Sequence, residues 1–282
     1  MSSLCKQVAI TGAMLSIALL GFLSLPAFAG TILVPGDSDN YEAQKRSSTG
    51  VYAASSGLGT GFRVGYGTNF NGSGTFAPGS ITTIYFFPLP ALGAFESVSS
   101  ASFSVGRLPD TATSAVTPTF NADLYILGVV DATPAAILDA ENYWYNGDTA
   151  QAVLPAVAGS TAVGGAVSRV VDNFLVPADF IPNSGTAAAT PNSADFTSYI
   201  QNLYANPLPN GFTPGTSLLV VRINGDADSP PTSGTQRYFL ADHNDATVGS
   251  RPLLTLQTIP EPSSMAIAFV VIVALFGYRR SS

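Results

Sequence analysis

The chain predicts an all-β body, an antiparallel β-sandwich with one short helix, set between two apolar terminal segments. Three observations carry that reading. Only 10% of the 282 residues are charged, and 27 glycines with 20 prolines place turn signals at the short intervals that separate strands. Between those turns apolar and polar residues alternate, the period of a sheet that buries one face. Both ends abandon the alternation for continuous apolar runs.

Taken in order, residues 32–34 open the sheet, and residues 57–79, rich in glycine, read as a loop. Residues 81–87 form the next strand. The clearest alternation is residues 98–105, where Ala101, Phe103 and Val105 share one face and Ser100, Ser102 and Ser104 the other. Residues 121–130 repeat it with Ala122, Leu124 and Ile126 on one side, and residues 135–138 are a further candidate. Residues 155–165 and 182–191, rich in Ala, Gly, Thr and Pro, are loops. One helix interrupts the strands. Ser193 is a good N-cap, Phe196, Tyr199, Ile200, Leu203 and Tyr204 make a single apolar stripe at helical spacing, and Pro207 ends it. Strands over 217–223, 237–241 and 253–258 close the body.

The ends read as export signals. Lys6 supplies a thin basic start, residues 8–25 are mostly apolar, and Ala27-Phe28-Ala29 is a small-x-small site that predicts cleavage before Gly30. At the other end Pro260-Glu261-Pro262 is followed by an apolar run and then Arg279 and Arg280. Residues 265–278 as a helix would span roughly 21 Å, short of the ~30 Å hydrocarbon core. The two arginines hold that end on the cytoplasmic side and put the preceding chain outside. Pro260 and Pro262 keep the segment around Glu261 extended, the geometry a processing enzyme needs. The division is therefore 1–29 signal peptide, 30–258 β body and 259–282 sorting segment.

The body of about 229 residues carries 8 Lys and Arg against 17 Asp and Glu, a net charge of −9, which argues against nucleic acid and against a basic lipid-binding patch. The chain's one cysteine, Cys5, lies in the signal peptide, so neither a disulfide nor a thiolate metal site is available to the body. Stability must come from a buried core. His243 is the single histidine, which excludes a multi-histidine metal site, and no Gly-x-Ser-x-Gly elbow or phosphate loop is present. In Asp242-His243-Asn244-Asp245 it reads as a loop histidine beside a carboxylate.

Two surface functions have candidate residues. Asp226 and Asp228 in one loop and Asp242 and Asp245 in another flank the strand at 237–241 and offer hard oxygen ligands for calcium, although neither loop has the EF-hand spacing. The aromatic cluster Tyr143-Trp144-Tyr145 could stack on a sugar ring, whereas strand alternation would turn Trp144 into the core and both tyrosines outward. No cofactor other than calcium is expected.

The tail formed by Pro260, Glu261, Pro262, the apolar run and Arg279-Arg280 resembles the PEP-CTERM sorting signal of bacterial proteins. That resemblance implies transient inner-membrane anchoring, handover to an exosortase after signal peptidase has acted, and a destination in the cell envelope, cell surface or exopolysaccharide matrix. A second resemblance runs from Ser97 to Thr258. The segment from Ser97 to Phe103, Asn121 to Tyr125, the capped helix, the strand from Leu218 to Ile223 and the closing Ser250-Arg251-Pro252-Leu253-Leu254-Thr255-Leu256 are similar to DNRLRE-type extracellular domains. These are related to carbohydrate-binding jelly rolls, so a jelly-roll-like sandwich is implied. The expectation is an exported non-enzymatic surface or matrix protein. The alternatives are a carbohydrate-binding module and an extracellular hydrolase built on carboxylates or His243.

Overall fold

The computed structural model describes residues 30–37, 41–45, 52–56, 61–66, 81–94, 96–110, 116–131, 168–180, 187–189, 193–207, 212–225 and 236–260. Their compact unit is Thr31–Thr258. Among the described residues the strands are β1 (Gly30–Pro35), β2 (Tyr41–Lys45), β3 (Tyr52–Ser56), β4 (Phe62–Tyr66), β5 (Ile81–Pro88), β6 (Glu96–Leu108), β7 (Ala122–Val130), β8 (Ser168–Leu175), β9 (Ala187–Ala189), β10 (Leu218–Gly225), β11 (Gln236–Leu240) and β12 (Leu253–Pro260), with one α-helix, α1 (Ala194–Ala205). The fold is all-β and mostly antiparallel, as the alternation predicts. Among the described residues no helix is long and apolar enough to cross a membrane, and the apolar segments 8–25 and 265–278 lie outside them.

The strands join in the order β1-β12-β6-β11-β4-β5-β10-β7-β8, with β2 on β5, β3 on β2 and β9 on β6. Between β4 and β5 the described pairing is the single residue pair Gly65 with Ile81. There the sheet curls. β5 and β6 are not neighbours in the sheet, yet the Phe103 ring of β6 stands 5.8 Å from Tyr85 and 5.7 Å from Phe87 of β5. Phe62 of β4 meets Tyr85 at 5.9 Å, and Phe174 of β8 meets Phe103 at 5.7 Å. Aromatic pairs at these separations add to the burial of their area. The two halves thus face each other across one core, which fits a β-sandwich. Tyr85 Oη crosses the same core to donate to the Ala241 carbonyl at 3.0 Å.

Strand by strand, the burial follows the residues. In β6, Ala101, Phe103 and Val105 are buried while Ser100, Ser102 and Ser104 are half-buried. β10 is different: all eight residues are buried, and so are the first seven of β5. Strands buried on both faces lose the alternation and read as continuous apolar runs, which is how Leu218-Leu219-Val220-Val221 reads.

The structure corrects the reading of residues 57–79 as loop throughout. β4 lies inside that stretch, because Phe62 and Val64 alternate into the core and the strand pairs along its length with β11. Its glycines hid it. Gly65 has φ +144°, and a Cβ there would sit 2.4 Å from the Gln236 carbonyl oxygen, so glycine marks a close strand approach. β8 also went unread. Arg169, Asp172 and Asn173 break its alternation, and Asn173 takes a left-handed φ of 55° where the pairing with β7 slips. The strand expected at 135–138 lies outside the described residues.

The helix is where the capping rule placed it. Ser193 Oγ accepts from the Phe196 amide at 3.2 Å, and Phe196, Ile200 and Leu203 are buried. Its polar side has a second task. Thr197 Oγ1 accepts from the Ala101 amide and donates to the Ala101 carbonyl, while Gln201 Nε2 donates to the carbonyls of Val98 and Ser99. Side chains of α1 thereby occupy backbone groups of β6 where a further strand would otherwise pair.

Candidate functional site

The junctions between the body and the two terminal segments sit on adjacent strands. Thr31 Oγ1 of β1 donates to Gln257 Oε1 of β12 at 2.9 Å, and the Gly36 amide donates to the Pro252 carbonyl at 3.0 Å. Rising numbers in β1 meet falling numbers in β12, so the strands run antiparallel. Consequently the start of β1 and the end of β12 share one end of the sheet. Ser99 Oγ of β6 donates to the Gln257 carbonyl at 3.1 Å and fastens β12 from its other side. Gly30, the residue predicted to follow signal cleavage, is the first residue of β1, and Pro260, the first residue of the sorting motif, is the last of β12. A proline at a strand end forfeits no interior ladder bond. Ala27, Ala29, Glu261, Pro262, Arg279 and Arg280 lie outside the described residues.

Of the candidate calcium ligands, Asp242 and Asp245 are described, while Asp226 and Asp228 lie outside the described residues. Both described carboxylates fasten their own loop. Asp242 Oδ1 accepts from the Asn244 amide at 3.3 Å and contacts His243 Nδ1, and Asp245 Oδ1 accepts from the Thr247 amide at 2.8 Å. Arg251 Nε donates to the Asp245 carbonyl at 2.9 Å. His243 thus has the neighbouring carboxylate its sequence context predicts. Among the described residues no group of three or more His, Cys, Asp or Glu gathers as a metal site. Tyr143, Trp144 and Tyr145 lie outside the described residues.

A polar row that the sequence reading passed over lies on the face of β5, β10, β7 and β8 turned away from the core. Register partners share a face. Arg222 stands opposite Ile84 and Tyr125, Asn224 opposite Thr82 and Asp123, and Arg169 opposite Tyr125. Thr82, Asp123, Arg222 and Asn224 are all buried. The Arg222 guanidinium lies 5.0 Å from the Tyr125 ring centroid, a cation–π arrangement. Burial lowers its pKa to about 9, against the Tyr125 contribution, so it stays a cation at neutral pH. Tyr125 itself is pushed well up by burial and then by the nearby Asp123 charge.

Asp123 organises the rest of this row. Its Oδ1 accepts from the Asn173 amide at 2.8 Å, and its Oδ2 from Tyr125 Oη at 3.3 Å and Arg169 Nη1 at 3.4 Å. With donors on both oxygens, this carboxylate is a fastener for the left-handed bulge at Asn173 and a poor choice of proton acceptor. A signal for it existed in the sequence: a charged residue inside an apolar strand, Arg222 after Val221 and before Ile223, marks a position whose burial has to be compensated.

No protein-family model matches the chain, and no curated protein matches it.

Proposed function

We propose that this chain is an exported, non-enzymatic protein of the bacterial cell surface or exopolysaccharide matrix, cut by signal peptidase at its start and sorted through its PEP-CTERM-like tail by an exosortase-type enzyme. Its body, on this reading, is a jelly-roll-like sandwich akin to DNRLRE-type and carbohydrate-binding domains. The inner membrane holds it transiently, through residues 265–278.

The observation that carries the reading is that β1 and β12, the strands next in sequence to the two proposed signals, are neighbours in the sheet. β1 starts at Gly30, and β12 runs through Thr258 into the first residues of the sorting segment, to Pro260. A body without cysteine that closes its core with aromatic rings needs no redox partner outside the cytoplasm. The curled sheet with facing halves supports the sandwich.

Intact-mass measurement of the protein recovered from the surface of an exosortase-bearing host is the test. The expected species starts at Gly30 and ends within or just after Pro260-Glu261-Pro262. Surface material that still carries Arg280 overturns the sorting reading.

A further inference from the structure

Independently of the sorting proposal, we infer that the open edge of β1 is an interface for a second copy of this chain, whose own β1 pairs with it antiparallel about a two-fold axis at Leu33. The register of β1 decides which of its backbone groups are available. Thr31 Oγ1 donates to Gln257 Oε1 at 2.9 Å and the Gly36 amide to the Pro252 carbonyl at 3.0 Å, and both contacts fit one antiparallel register without a bulge. The backbone groups of Ile32 and Val34 therefore face β12, as those of Gly36 do. Those of Thr31, Leu33 and Pro35 face the other way. Among the described residues β12 is the one strand that pairs with β1. Thr31, Leu33 and Pro35 are all exposed, Leu33 to 60%.

A second copy fits this edge because the edge complements itself. With Leu33 opposite its own counterpart, each Leu33 amide donates to the other's carbonyl, and each Thr31 amide donates to the carbonyl of the other Pro35. Proline has no amide hydrogen, so the pairing uses every donor of both edges. It also sets the two exposed leucines side by side on one face, about 5.5 Å apart at Cα. Charge favours the same line of approach. The body carries a net −9, so two copies repel each other in general, whereas β1 and its neighbour β12 carry no charged residue. Glu96 enters on β6, one strand further in, and the Asp37 amide donates to the Phe86 carbonyl of β5 at 2.8 Å, which draws the chain off the edge. Sheet edges are commonly guarded by a lysine, a mid-strand proline or a covering helix such as α1 gives β6. Among the described residues β1 has none of these, its one proline being the last residue of the strand. A seam one strand wide belongs with the small, transient interfaces of under about 1,200 Å² in total, so the association is reversible and follows concentration.

Disulfide trapping and hydrogen exchange test this on the full chain in mild detergent, diluted at fixed detergent concentration. Cys5→Ser removes the native thiol, and Leu33→Cys or Val248→Cys then supplies a single one. Val248, 71% exposed in a turn beside β6 and β9, is the control. Both positions are exposed, so neither change touches the core. Paired Cα atoms about 5.5 Å apart are within the roughly 4.4–6.8 Å that a disulfide spans. The expected result is several-fold more disulfide dimer from Leu33→Cys than from Val248→Cys, with a yield that falls on dilution. In the Cys5→Ser chain the amides of Thr31 and Leu33 are expected to be protected from exchange at high concentration and to lose that protection on dilution or with Leu33→Lys. Equal disulfide yields at 33 and 248 overturn the inference. So does protection at 31 and 33 that survives dilution or Leu33→Lys, because another segment of the same chain then covers the edge. Amides at 31 and 33 that exchange freely at every concentration overturn it as well.

Discussion

At Gly65 one missing side chain decides whether β4 and β11 can pair as closely as they do. Its φ of +144° and the Gln236 carbonyl oxygen 2.4 Å from where a Cβ would stand leave no room for alanine. The Gly65→Ala variant is expected to lose roughly 1–3 kcal/mol to backbone strain and about 1–3 kcal/mol to overpacking. A fall of roughly 5–15 °C in melting temperature follows for a domain of this size. Gly249, whose Cβ position meets nothing within 4 Å, supplies the control, and an unchanged melting temperature for Gly65→Ala would show that the close approach is absent. Buried phenols set the alkaline limit. Burial pushes Tyr199 up to about 12 and holds Tyr85, Tyr204 and Tyr238 well above the ordinary tyrosine value. A raised folded pKa favours the neutral phenol in the fold, so this stability is whole below the unfolded value of about 10 and is lost as pH rises towards 12. Denaturant midpoints measured from pH 8 to 12 are expected to hold to about pH 10 and then drop, with tyrosinate absorbance appearing together with unfolding. Midpoints that stay level to pH 12 would contradict this. Of such residues, Ser193 was legible beforehand because capping is a local rule. Gly65 was not, since the atom it must avoid belongs to Gln236, far along the chain.

At the scale of elements, α1 does more than bury its apolar stripe. Thr197 and Gln201 stand in for strand partners on β6, and together they make four hydrogen bonds to its backbone. Replacing them as Thr197→Val with Gln201→Leu keeps similar volumes and removes those bonds, at a cost of about 1 kcal/mol per net bond lost. The uncovered backbone groups are then a template for another chain. Light scattering is expected to show concentration-dependent association of the double variant while the parent stays unchanged, and a variant that remains as dispersed as the parent would mean the edge is protected by other means. The stripe of α1 was readable from its period, and so was the alternation of β6. That the polar side of one meets the backbone of the other was not, because periodicity reports which residues avoid water and carries no address for the partner. β8 escaped for a related reason: its charged residues look like solvated turn until Asp123 of β7 is seen fastening the Asn173 amide and Arg169.

Across the whole molecule, what matters is how a body with little charge and no cysteine closes on itself. Rings from β4, β5, β6 and β8 meet in one core, and the curl at Gly65 and Ile81 brings the two halves face to face. The outer face of β5, β10 and β7 is buried as well and carries Arg222, Asp123 and Asn224. Closure also puts β1 beside β12, the first and last of the described strands. By itself the sequence determined the class of fold, the position of the helix and its cap, the absence of thiol chemistry in the body and the two apolar runs at its ends, because each follows from local composition, period or spacing. The tertiary structure alone decided that a glycine-rich stretch holds a strand, that a buried carboxylate fastens a bulge, and that Gly30 and Pro260 end on neighbouring strands. Those facts depend on pairings between residues distant in sequence, and strand propensity specifies that a segment will pair without specifying with which.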